Sequence, residues 1–150
     1  MSDLSDLYQE VILDHNRRPR NYGRPEASNR RSEGYNPLCG DHITLYVYVD
    51  DGTLRDVRFE GSGCAVSKAS ASMMTEALKG KSLEDAEILF QRFHRLVTGC
   101  PELGGKGPAL GKLSVFSGVS EFPMRVKCAT LAWHALRDVL AATGERSTTE

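Results

Sequence analysis

The 150-residue chain carries 19 Lys and Arg against 20 Asp and Glu, a formal charge of −1, with 40% hydrophobic and 26% charged residues. At about 150 residues per domain this is one domain, large enough to bury roughly 70% of its unfolded surface without disulfide staples. The near-neutral balance argues against a general nucleic-acid binder, the composition against a disordered chain, and no apolar run approaches the ~18 residues of a membrane helix.

The acidic start, Met1-Ser2-Asp3-Leu4-Ser5-Asp6, lacks the apolar core of a secretory signal. The cytosol is therefore the expected compartment, and its four cysteines read as ligands or nucleophiles rather than disulfides. Leu4, Leu7, Tyr8, Val11 and Ile12 recur at helical spacing and predict an amphipathic helix over 3–16. Residues 17–31 hold six arginines and one glutamate with Pro19, Gly23 and Pro25, which reads as a basic loop, either solvated or a docking surface for an acidic partner. A strand somewhere in 27–36 has only a weak pattern. From 42 to 49, Ile43, Leu45, Val47 and Val49 alternate with polar and aromatic residues, a strand with an apolar face. Asp51-Gly52 is a hairpin dipeptide, and 54–60 reads as the return strand with Val57 and Phe59 inward.

Beyond Gly61-Ser62-Gly63 the period becomes helical. Cys64–Lys79 reads as a helix ended by Gly80. Ser82-x-x-Asp85 resembles a capping box opening a helix whose stripe is Ala86, Leu89, Phe90, Phe93, Leu96 and Val97. A glycine-rich loop with Cys100 follows, then one helical turn over 113–118. Pro123 opens a last helix that Gly144 would end, lined by Val126, Ala129, Trp133, Leu136 and Leu140. Residues 145–150 read as a disordered tail. The order of elements predicts an α+β fold, one domain over 1–150: a small antiparallel sheet of about three strands with helices packed on one side.

The chemistry gathers around three cysteines. In an extended segment Cys39 and Asp41 point the same way, with Gly40 removing bulk between them. Cys64 follows a glycine-rich turn at a helix start, where a thiol is favoured as thiolate. Cys128 lies in the second turn of the last helix. Cys39, Asp41, Cys64 and Cys128 supply the four donors a zinc ion takes, and Arg125, one turn before Cys128, would offset their surplus negative charge. The spacing has no CxxC knuckle and no ferredoxin run. On spacing alone, three separate buried structural cysteines stand as the alternative.

The stretches Asn36-Pro37-Leu38-Cys39-Gly40-Asp41, Gly61-Ser62-Gly63-Cys64-Ala65-Val66-Ser67-Lys68 and Arg125-Val126-Lys127-Cys128-Ala129-Thr130 resemble the NifU/IscU-like proteins of iron–sulfur cluster biogenesis. Leu13-Asp14-His15 and Pro19-Arg20-Asn21 resemble that family's N-terminal region. The match is closest to the SufU branch: residues 65–127 leave room for that branch's insertion around 110–123, and Lys127 stands where the IscU branch has histidine. The resemblance implies zinc held by Cys39, Asp41, Cys64 and Cys128. It implies sulfur accepted on Cys39 from the persulfide of a SufS-type cysteine desulfurase, with a histidine of that enzyme replacing Cys39 on zinc, and delivery to the downstream Fe–S assembly machinery. The alternative within the same family is a scaffold that builds an Fe–S cluster on those ligands. No nucleic-acid or membrane partner is implied.

Other features read as structural. Cys100 has no counterpart in the family pattern and reads as a bystander. Gly104-Gly105-Lys106-Gly107 fails the phosphate-loop motif at Cys100 and Gly107. His15, His42, His94 and His134 read as solvated or structural, Met73 and Met74 as core filler, and the serine-rich run 67–72 as a closely packing helix face.

Overall fold

The computed structural model describes residues 3–25, 27–37, 40–100, 108–141 and 147–148. Helix α1 (Asp3–Arg17) is followed by strands β1 (Arg30–Asn36), β2 (Asp41–Asp50) and β3 (Thr53–Ser62). Helices α2 (Ala65–Leu78) and α3 (Leu83–Val97), a 3₁₀ segment (Gly111–Glu121), helix α4 (Pro123–Leu140) and a two-residue strand β4 (Ser147–Thr148) complete the chain. The sheet order is β3-β2-β1-β4, antiparallel except that β4 runs parallel to β1. Within the terminal segment expected to be disordered, Ser147 and Thr148 thus pair with Gly34 and Tyr35. No described helix is long and apolar enough to cross a membrane.

The β2–β3 hairpin turns at Asp51 (φ 51°) and Gly52 (φ 71°), the two positive-φ positions of a type I′ loop. Ile43, Leu45 and Val47 of β2 and Val57 and Phe59 of β3 are buried on one face, where α2 and α4 pack. Helix α1 lies on α2, while α3 and the 3₁₀ segment pack on α4. Phe93 of α3 stacks on Trp133 of α4 at 4.5 Å, and Phe116 of the 3₁₀ segment meets Phe93 edge-on at 5.6 Å. The one helical turn expected over 113–118 is instead an eleven-residue 3₁₀ segment. Leu110, Leu113, Phe116 and Val119 are all buried at intervals of three, the period of a 3₁₀ helix. Helix α4 ends at Leu140 rather than at Gly144, which lies outside the described residues; Arg30 of β1 donates to the Val139 carbonyl at 2.9 Å and satisfies part of its last turn.

The basic 17–31 stretch is pinned to the fold. Asn21 and Gly23 exchange backbone hydrogen bonds with Phe59, and the Asn29 side chain clamps both backbone groups of Val49. Arg20 pairs with Asp14 at 2.7 Å, and Arg24 and Arg31 lie over the Tyr46 ring. Four of its six arginines are therefore engaged within the molecule, and charge reversal at Arg20 would test folding as much as docking.

His15 is a structural residue. It is 4% exposed, and its Nδ1 is 2.7 Å from Ser72 Oγ, which also accepts the Arg20 backbone N–H at 2.8 Å. The neutral ring and the Ser72 hydroxyl share a single proton in this contact, and His15 Nε2 lies 3.7 Å from Glu76. Burial, then the Arg20 charge, lowers the His15 pKa. The unfolded chain therefore takes up a proton near pH 6.5 that the folded state resists, and stability is lost as pH falls through that value. The melting temperature of the wild type should drop between pH 7.5 and 5.5 by more than that of His15→Gln, measured at matched metal loading. Parallel curves for the two proteins would remove His15 from the acid response.

Candidate metal centre

Asp41 opens β2 on the side facing the helices, in step with Ile43, Leu45 and Val47, and is fully buried. The chain reaches it through a turn in which the Gly40 N–H donates to the Asn36 carbonyl at 2.8 Å. Strand β3 ends beside it at Ser62, and Gly63 passes the chain into α2 with Cys64 as its N-cap. The Cys64 N–H donates to Asp41 Oδ1 at 2.9 Å, and Cys64 Sγ lies 3.8 Å from Asp41 Oδ2. One carboxylate oxygen is thus anchored by backbone, and the other faces sulfur. At the start of α2 the Ser67 N–H donates to Cys64 Sγ at 3.5 Å, placing that sulfur where helix amides favour negative charge.

Cys128 reaches the same point from the second turn of α4 and is 5% exposed. Asp41, Cys64 and Cys128 each offer a ligand atom, all within 4.8 Å of one another. Burial first, then hydrogen bonding to Asp41 and Cys64, pushes the Cys128 thiol well above the usual thiol range. Two sulfurs and a carboxylate crowded together, with Asp41 and Cys128 buried and Cys64 exposed, repel one another as anions, and a divalent cation is what reconciles them. The donor set suits zinc, which takes thiolate and carboxylate in tetrahedral sites.

Of the predicted site residues, the structure brings Asp41, Cys64 and Cys128 together. Cys39 lies outside the described residues. Arg125 is exposed, with its guanidinium 4.7 Å from the Phe122 ring. His42 faces the opposite side of the sheet and pairs with Glu33 at 3.4 Å. Cys100 is exposed, apart from the cluster, and the 104–107 segment lies outside the described residues.

Gly63 belongs to the site although its sequence context had suggested only a turn. A Cβ there would stand 2.5 Å from Asp41 Oδ1 and 2.7 Å from Ser67 Oγ. The carboxylate is held because that space is empty of side chain. Gly63→Ala should lower metal affinity by about 10–100-fold, the range for losing a supporting contact, with the secondary structure intact. A competition titration giving wild-type affinity would show that the carboxylate does not need this cradle.

Residues 7–129 match the model of the NifU-like N-terminal domain family. The chain is 42% identical over 140 residues to the zinc-dependent sulfurtransferase SufU of Bacillus subtilis, covering 93% of each protein. It is 41% identical over 140 residues to the iron–sulfur cluster assembly scaffold protein IscU of Streptococcus pyogenes serotype M1, covering 93% of this chain and 86% of that one. The crystal structure of FiSufU from Fervidobacterium islandicum AW-1, described as an iron–sulfur cluster assembly scaffold protein for the SUF system, superposes with a TM-score of 0.79 at 34% identity, over 87% of this chain and 94% of that one.

Proposed function

Because this chain belongs to the NifU-like N-terminal domain family, in its SufU-type branch, we propose that it is a zinc-dependent sulfurtransferase of iron–sulfur cluster biogenesis that accepts sulfur on Cys39 from a SufS-type cysteine desulfurase. The convergence of Asp41, Cys64 and Cys128 carries this reading. Cys39 is the fourth donor: only Gly40 separates it from Asp41, and two residues span at most ~7 Å. Zinc on these four donors would keep the thiolates deprotonated at neutral pH and offset their charge.

The chain's own groups then divide the work. Asp41 and Cys128, both buried, and Cys64, fixed as a helix cap, are retained as ligands. Cys39, two residues before Asp41 in the chain, is the nucleophile. Its thiolate attacks the outer sulfur of the donor's persulfide. That S–S bond breaks, the donor cysteine leaves as thiolate, and a new S–S bond leaves the persulfide on Cys39. No oxidant or reductant is consumed.

The scaffold reading is favoured by the names of other relatives, among them the Streptococcus pyogenes protein. Lys127 before Cys128 and the inserted 3₁₀ segment favour transfer, because they follow the SufU pattern. Protein purified in air should be colourless with one equivalent of zinc, and should raise the turnover of a cysteine desulfurase. A brown protein with visible charge-transfer bands would establish the scaffold. Zinc without any effect on turnover would leave a docking module only.

A further inference from the structure

Helix α4 carries a second cluster of chemistry away from Cys128. His134 and Arg137 lie six and nine residues after Cys128, about 9 and 14 Å along the axis. With α3 they line a cavity of about 270 Å³. Its charged lining is His94, His134, Arg95 and Arg137 against one carboxylate, Glu87, and Gln91 donates to Glu87 at 3.4 Å. Phe90 organises the cations. The His94 ring stacks on it at 6.1 Å, the His134 ring meets its edge at 6.0 Å, and the Arg137 guanidinium carbon lies 5.3 Å from its centroid. Among the described residues Arg137 forms no ion pair with a carboxylate. Burial lowers the His134 pKa, and the charges of His94 and Arg137 push it the same way with no carboxylate opposing them.

We propose that this cavity binds a small multivalent oxyanion of the phosphate class, with Arg137, His94 and His134 as its donors. A guanidinium held over an aromatic ring presents a fixed fork of N–H groups that matches phosphate oxygens. Two imidazoles whose centroids are 6.5 Å apart can each donate to the same anion. A divalent cation fits worse: Arg137 would repel it, and among the described residues the cluster suited to a metal is the one at Asp41. The same chemistry serves free phosphate and the phosphoryl group of a mononucleotide.

The imidazole resonances of the four histidines are followed in the zinc-loaded chain while inorganic phosphate is titrated against potassium chloride at matched ionic strength. His94 and His134 should shift saturably with phosphate, their pKa values should rise, and His15 and His42 should stay still. Arg137→Gln should weaken binding at least tenfold. His94→Gln, at an exposed position, should do the same and guards against a folding defect at Arg137. Arg58→Gln, whose arginine pairs with Asp56 on the sheet, should leave binding unchanged. Saturation by adenosine monophosphate at lower concentration than by phosphate would identify the phosphoryl group of a nucleotide as the ligand; the reverse order would identify the free ion. Shifts that do not saturate, that are equal at His42, or that survive in both variants would overturn the proposal.

Discussion

Cys39→Ala should reduce the turnover of the desulfurase to its unassisted rate, while the circular dichroism spectrum of the variant matches the wild type. The reason is chemical. Sulfane sulfur needs a thiolate to receive it, and alanine offers none. Cys64 cannot substitute without giving up the Ser67 amide and its place as the α2 cap. Cys128 is 5% exposed and cannot meet a partner's persulfide. The fold should persist because its core lies between the sheet and α2 and α4. Full stimulation by Cys39→Ala would move the acceptor to another cysteine.

Asp41→Ala should cost more than a ligand. The carboxylate is fully buried, and its Oδ1 is the partner of the Cys64 N–H. Alanine removes the metal donor and leaves that amide without its acceptor, a loss of about 1–3 kcal/mol where the amide stays buried. Zinc affinity should fall by more than the ~10–100-fold that a lost supporting contact costs. Asp41→Asn separates the two effects. Its amide oxygen still accepts from Cys64, so the melting temperature of the metal-free protein should stay near wild type while zinc affinity falls. Unchanged zinc retention by Asp41→Ala under chelator challenge would remove Asp41 from the coordination set.

The strongly patterned elements were legible in the sequence. The alternation from Ile43 to Val49 and the stripe of α3 carry periodic apolar signals, Asp51-Gly52 carries the signal of a tight hairpin turn, and each forms as expected. Strand β1 was barely legible because its helix-facing residues are Ser32, Gly34 and Asn36, small or polar, with no apolar alternation to read. The 3₁₀ segment exceeds the one turn expected over 113–118, and its apolar residues recur every three, off the 3.6-residue period that marks an α-helix. The serine run 67–72 reads in the sequence as small side chains for close packing. Ser72 in fact joins α2 to His15 and Arg20, and Ser70 accepts from Trp133 Nε1 at 3.1 Å while donating to the Ala129 carbonyl. Those are tertiary partners, which no local pattern encodes.

At the site, the residue types were legible and their environments were not. Three cysteine contexts and one aspartate pointed to a metal, and Asp41, Cys64 and Cys128 meet as that reading required. The emptiness at Gly63 depends on how closely β2 and α2 approach, which spacing does not give. Arg125 shares a helix face with Cys128 by periodicity, and its guanidinium lies over the Phe122 ring, a contact that spacing does not give.

X-ray absorption at the zinc edge of the purified protein tests the coordination most directly. The account predicts three sulfur neighbours at about 2.3 Å and one oxygen at about 2.0 Å, with one sulfur lost in Cys39→Ala. A shell dominated by nitrogen or oxygen, or one whose sulfur count is unchanged in that variant, would contradict it.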